Sequence, residues 1–215
     1  MREQFQEELD AVSSTLVQMA GMVKTAMENA TTALLTADLT LAEKVIADDL
    51  IIDEMQHELD ARTINLIARQ SPVATDLRTL VTSLRMSADL ERMGDLAHHI
   101  AKSARMRYPA TAVPPELSLT IEEMGRVCSK IIEKVAAVLE KRDADRALEV
   151  ERDDDEIDAL HRKIIQTLLD PTWKHGIETA IDMTLLGRYY ERCADHAVSI
   201  ARRVYFLVTG SYTKN

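Results

Sequence analysis

An all-α fold of two tandem antiparallel three-helix bundles is predicted by three observations. Hydrophobic residues make up 46% of the chain but aromatics only 4%, so Ala, Leu, Ile, Val and Met supply the apolar surface. There are six Gly and five Pro in 215 residues, fewer turn residues than a sheet protein requires. Apolar positions recur at three-four spacing through long stretches, the mark of an amphipathic helix, and the order of those stretches repeats once along the chain. A chain of this size buries roughly 70% of its unfolded surface, enough to fold without a disulfide or a metal.

The first helix places Leu9, Val12, Leu16, Met19, Val23, Ala26, Ala30 and Ala33 on one stripe and stops near Ala37. Asp38 then caps a second helix, which runs to Gln70 with Val45, Ile52, Met55, Leu59 and Leu66 on one side. Ser71-Pro72 is expected to open a third helix, Ser as cap and Pro as its first residue, continuing to Tyr108. Pro109, Pro114 and Pro115 break the chain there. The division expected is a first bundle over 1–108, a linker over 109–114 and a second bundle over 115–215.

The pattern then begins again. Leu117, Ile121, Met124, Cys128, Ile131, Val135 and Val138 form the fourth stripe, with Thr120 and Glu123 at capping-box spacing. Val150, Ile157, Leu160, Ile164 and Leu168 mark a fifth helix between Asp143 and Leu169. A turn over Asp170–Gly176 leads to a sixth, ending near Thr209. Asp49 and Asp53 correspond to Asp154 and Asp158, 105 positions on; Glu91-Arg92-Met93-Gly94-Asp95 corresponds to Glu191-Arg192-Cys193-Ala194-Asp195, 100 positions on. Such a set of matches points to internal duplication. Short connections imply helices crossing at about 20°; two stacked three-helix bundles follow from the repeat more directly than one six-helix bundle.

Charge narrows the functional classes. The net charge of −10 argues against nucleic acid, which needs a clustered basic surface, and suits cations or basic protein surfaces. The N-terminal segment is acidic without an apolar core, so no signal peptide is read. No run of about eighteen apolar residues predicts a membrane span. Cys128 and Cys193 sit in apolar helical patterns and read as buried free thiols rather than a disulfide. The chain is expected to be cytoplasmic.

With about 100° per residue, Glu91 and Asp95 fall roughly opposite the core stripe of the third helix, and Glu191 and Asp195 opposite that of the sixth. Asp49/Asp53 and Asp154/Asp158 lie about 90° from theirs. Each pair is spaced four apart and so stacks on one face, and all four pairs are expected at the surface. One such pair is ordinarily a solvated face. Matching pairs on consecutive, neighbouring helices can instead converge as four carboxylates per half, whose repulsion a cation relieves; carboxylate oxygens suit magnesium, manganese or iron. Arg92 and Arg192 are expected to pair with neighbouring carboxylates. His57, His98, His99 and His196 lie on polar faces and could supplement a metal site. Asp158-x-x-His161 and Glu54-x-x-His57 have the Glu-x-x-His spacing of di-iron bundles, but they do not match across the repeat and Glu54 points off the core. No phosphate-binding loop, nucleophile elbow or cysteine cluster is present, so no catalytic residue can be named.

Two three-helix repeats, each with an E-R-x-x-D signature late in its third helix, resemble the PhoU family of phosphate-transport regulators. Ser71-Pro72-Val73-Ala74-Thr75-Asp76-Leu77-Arg78 is similar to that family's opening of the third helix. Where the family often has Gly-Asp-His in both signatures, this chain has Gly94-Asp95-Leu96 and Ala194-Asp195-His196. The resemblance implies a regulator, not an enzyme. It would be a homodimer linking the ATPase subunit of the phosphate ABC transporter to the phosphate-sensing histidine kinase, holding down the phosphate-starvation response and meeting the membrane only through partners. It also implies metal ions (iron, magnesium, manganese or zinc) on Glu91, Asp95, Glu191 and Asp195, with Asp49, Asp53, Asp154 and Asp158 as companions. The alternative is a metal-dependent enzyme using the same carboxylates; a plain helical scaffold is a third reading.

Overall fold

The computed structural model describes residues 2–211; Met1 and the last four positions, at the outer ends of the two expected bundles, lie outside that range. Six helices occur among these residues: α1 (Arg2–Thr36), α2 (Leu39–Gln70), α3 (Ala74–Arg107), α4 (Pro115–Lys141), α5 (Ala144–Leu168) and α6 (Gly176–Thr209). None of them is long and apolar enough to cross a membrane.

The duplicated sequence produces duplicated turns. Ala37 and Arg142 both adopt left-handed backbone, with φ of 53° and 51°. Each is followed by an aspartate cap: Asp38 accepts from the Leu41 amide and Asp143 from the Asp145 and Arg146 amides. These bonds satisfy amides that a helix start leaves orphaned. Two other caps differ from the sequence reading. Ser71, at φ 44°, terminates α2 through its own N–H to Ile67 and does not open α3, which starts at Ala74 without a side-chain cap. α4 begins six residues earlier than a Thr120 cap requires, because Pro115 at its first position has no N–H to leave unsatisfied; Thr120 is buried within the helix.

α1–α3 form one antiparallel bundle and α4–α6 the other, and the two lie side by side. α1 packs on α4 and α3 on α6, while α2 and α5 touch only helices of their own bundle. Both inter-bundle pairs run antiparallel, as Lys24–Glu133 beside Arg142–Ser13 and Asp89–His196 beside Arg107–Asp182 require. The core is continuous across this seam, from Leu16, Met19 and Val23 to Ile121, Met124 and Ile131. Cys128 and Cys193 are free and fully buried in it.

The seam also holds polar contacts. Tyr190, fully buried, shares a 2.8 Å hydrogen bond with Thr31. Asp89 on α3 is bonded by His196 (3.0 Å), Ser199 (3.0 Å) and Arg203 (3.2 Å) of α6. Burial alone raises the Asp89 pKa, but the bonds from His196 and Ser199 and the Arg203 charge outweigh it and hold the carboxyl below its usual range. His99 stacks on Tyr189 at 5.4 Å between ring centres. Thus His99 and His196 are engaged at the seam, not beside the acidic signatures as surface supplements.

Candidate functional site

The α2–α3 and α5–α6 grooves receive the acidic pairs. In each bundle the pair on the second helix faces the signature on the third because those helices run antiparallel. The eight carboxylates are therefore not simply surface features. Asp49 is only 7% exposed, and Asp53, Glu91, Asp95, Asp154, Asp158 and Glu191 are half-buried, leaving Asp195 exposed. All eight lie off their helices' core stripes, and the neighbouring helix covers all of them in part except Asp195.

In the first groove, His98 of α3 hydrogen-bonds through Nδ1 to Asp49 Oδ2 at 2.5 Å. Arg92 reaches Asp95 at 2.8 Å and Glu91 at 3.6 Å. Burial raises the Asp49 pKa; the His98 bond and charge oppose that, and Asp53 and Asp95 add to it. Glu91 is raised by burial and then by Asp95, against Arg92, with smaller contributions from Asp53 and Asp49. All four carboxylates therefore feel one another across two helices. Gly94 permits the approach: a Cβ there would stand 3.1 Å from Ile52 Cδ1 and 3.2 Å from Asp49 Oδ1.

The second groove is built from the same positions but neutralised differently. Glu191 Oε2 is engaged by His161 Nδ1 of α5 at 2.9 Å and by Arg188 Nη1 of α6 at 2.6 Å. Arg162 lies 3.9 Å from Asp158. Asp154 is pushed up to about 6, first by burial and then by Asp158, Asp195, Asp155 and Glu191. The position matching His98 is Val198, so this groove takes its imidazole from α5. His161 crosses to a carboxylate on α6, a contact that the comparison with di-iron motifs did not anticipate. Its spacing from Asp158 was the available signal. His98 is one of four histidines on polar helix faces, and nothing in the local sequence distinguishes Arg188 from the other arginines of its helix. His57 and Glu54 remain exposed on α2, away from both grooves.

The donor set suits a hard cation. Asp53 Oδ1, Asp154 Oδ1, His98 Nε2 and, apart from its ion pairs to His161 and Arg188, Glu191 Oε2 are buried without a hydrogen-bond partner, and buried polar atoms ordinarily have one. As the side chains stand, no three His, Cys, Asp or Glu among the described residues are arranged to hold an ion. The fit is therefore one of donor type and placement across each groove, with side-chain rotation needed to gather the ligands. Neither groove presents a nucleophile with an adjacent base.

Residues 16–104 and 121–204 each match the PhoU domain, so the family's unit occurs twice in the chain. The chain is 45% identical over 212 residues to "Phosphate-specific transport system accessory protein PhoU homolog 2" of Mycobacterium tuberculosis, covering 99% of this chain and all of that one. It is 44% identical over 215 residues to the PhoU homolog 1 of Mycobacterium leprae, covering 100% and 97% of the two chains. The crystal structure of PhoU from Pseudomonas aeruginosa superposes with a TM-score of 0.87 at 29% identity, over 96% of this chain and 100% of that chain. The phosphate transport system regulatory protein PhoU from Streptococcus pneumoniae superposes at 0.85 with 25% identity, over 98% and 100%. With two matched domains, an end-to-end relation to named relatives and the same six-helix architecture, this chain belongs to the PhoU family.

Proposed function

We propose that this chain is a cytoplasmic accessory regulator of phosphate-specific transport. It moderates uptake and holds down the phosphate-starvation response by docking between the transporter's ATPase subunit and the phosphate-sensing histidine kinase. The observation that carries this reading is the full-length identity to accessory proteins of that system. A strip of exposed apolar residues on α6, Ile177, Ile181 and Leu185, beside Leu169, agrees with a binding role; contiguous apolar surface of this kind commonly marks protein contact sites. A homodimer is part of the proposal.

The grooves are proposed as metal sites: Glu91 and Asp95 with Asp49 and Asp53, and Glu191 and Asp195 with Asp154 and Asp158. A bound cation would neutralise the carboxylates' mutual repulsion and tie the second helix of each bundle to the third. The residues' own part is to present hard oxygen donors from two helices, with His98 and His161 orienting Asp49 and Glu191.

Disrupting the gene tests the regulatory reading: phosphate-starvation genes should be expressed in high phosphate, and a wild-type pattern of repression would count decisively against it. The four carboxylates per groove also admit a metal-dependent enzyme. That reading requires a turnover lost in Asp95→Ala and Asp195→Ala variants that still retain partner binding.

A further inference from the structure

The two grooves match in sequence position but not in how their charge is balanced. The arginine contacts differ. In the first groove Arg92, 64% exposed at its side chain, hydrogen-bonds Asp95 and only approaches Glu91. In the second, Arg188 holds Glu191 at 2.6 Å, and the signature arginine Arg192 makes no ion pair among the described residues. Position 88, which matches Arg188 across the repeat, is Ala. Both positions are exposed and stand in the same burial pattern, with residues 81–90 and 181–190 buried at equivalent places. The difference is therefore one of side chain and not of backbone setting.

Resting on the reading of the grooves as cation sites, we infer that Arg188 is a built-in competitor of the second site. It occupies the Glu191 carboxylate and must swing out before that oxygen can ligate a cation. Its half-exposed side chain (46%) gives it solvent to swing into. Oε2 of Glu191 is also claimed by His161, so a cation and two nitrogen cations or donors cannot share it. Electrostatics acts in the same direction, because a guanidinium beside Glu191 repels an incoming cation wherever it binds in the groove. The first groove, with Ala88, has no arginine at that position, and its own guanidinium, the more exposed Arg92, sits on Asp95 instead of Glu91. The two sites thus differ in which carboxylate a guanidinium covers, and the second responds to what displaces Arg188 from Glu191.

The test is titration with manganese(II), read by the electron paramagnetic resonance of the free ion, on otherwise full-length protein. In a Glu91→Gln/Asp95→Asn background, where the second site reports, Arg188→Ala should tighten binding roughly two- to fivefold, the range expected for removing one half-exposed ion pair. In an Asp154→Asn/Asp158→Asn background, where the first site reports, Arg188→Ala should leave binding unchanged and Ala88→Arg should weaken it by a similar factor. Manganese binding that Arg188→Ala leaves unchanged or weakens overturns the inference while preserving the metal reading. No binding by the wild-type protein overturns both. The Ala88→Arg variant gives an independent answer if Arg188→Ala folds poorly.

Discussion

Asp154 shows how one buried carboxylate reports on its groove. Burial and the surrounding Asp158, Asp195, Asp155 and Glu191 raise its pKa to about 6. A raised carboxyl pKa means that the folded state holds the proton more tightly than the unfolded chain. The stability it contributes is present below pH 4 or so and is lost as pH rises through about 6. Asp154→Asn should therefore stabilise the metal-free protein at pH 7.5 by about 1 kcal/mol after allowance for solvent screening, or roughly 2–4 °C in Tm. The variant's advantage should shrink between pH 6 and 4, and thermal melts of both proteins across that range would check it. An unaltered difference across pH would mean that the local field at Asp154 is weaker than its neighbours imply. Asp89 is the opposite case. Its three donors depress the pKa, so its stabilisation is present at neutral pH and lost as pH falls through its lowered value. Two aspartates of similar burial thus pull acid stability in opposite directions, and their partners decide the sign.

Among the helices, α1 and α4 approach closely where Gly125 meets Thr31. A Cβ at Gly125 would stand 2.5 Å from Thr31 Cγ2 and 2.7 Å from its Oγ1. Thr31 has little room to yield, because Oγ1 is held both by the Met27 carbonyl and by Tyr190 across the seam, and its branched side chain is stiff about χ1. Gly125→Ala should therefore destabilise the protein by about 1–3 kcal/mol, despite the better helix propensity of Ala. Urea unfolding would read this as a lowered midpoint with an unchanged slope. A neutral result would show that the two bundles can separate slightly without cost. Nothing in the periodicity of α4 announces this glycine: it lies in a regular helix, and only the helix laid across it makes the missing Cβ necessary.

The duplicated molecule carries two acidic grooves on α2–α3 and α5–α6, each flanking the shared seam of α1, α3, α4 and α6. A ligand that binds only the folded chain raises its melting point by mass action. If the grooves take cations, millimolar manganese or magnesium should raise Tm by several degrees, and a chelator should reverse the change. Sodium chloride of equal ionic strength should do much less, because screening alone relieves only part of the repulsion within a half-buried groove. Equal shifts from both salts would reduce the carboxylates to ordinary surface charge.

The helices, their repeat and the angular position of the eight paired carboxylates were legible in the chain, because a helix advances by a fixed angle per residue and its apolar stripe must face a partner. The aspartate caps at 38 and 143 were equally legible, since their side chains act on amides a few residues away. The expected role of Ser71 failed for the same local reason in reverse: a left-handed backbone at that residue, closing α2, supplied a competing signal of comparable strength. Tertiary packing settled the rest. It buried Asp49, brought His98 and His161 across to carboxylates on neighbouring helices, turned Arg188 onto Glu191 and sent His196 to Asp89 at the seam. Contacts between helices depend on crossing angle and axial offset, which a 3.6-residue period does not encode, and those contacts make two nearly identical acidic motifs into unlike sites.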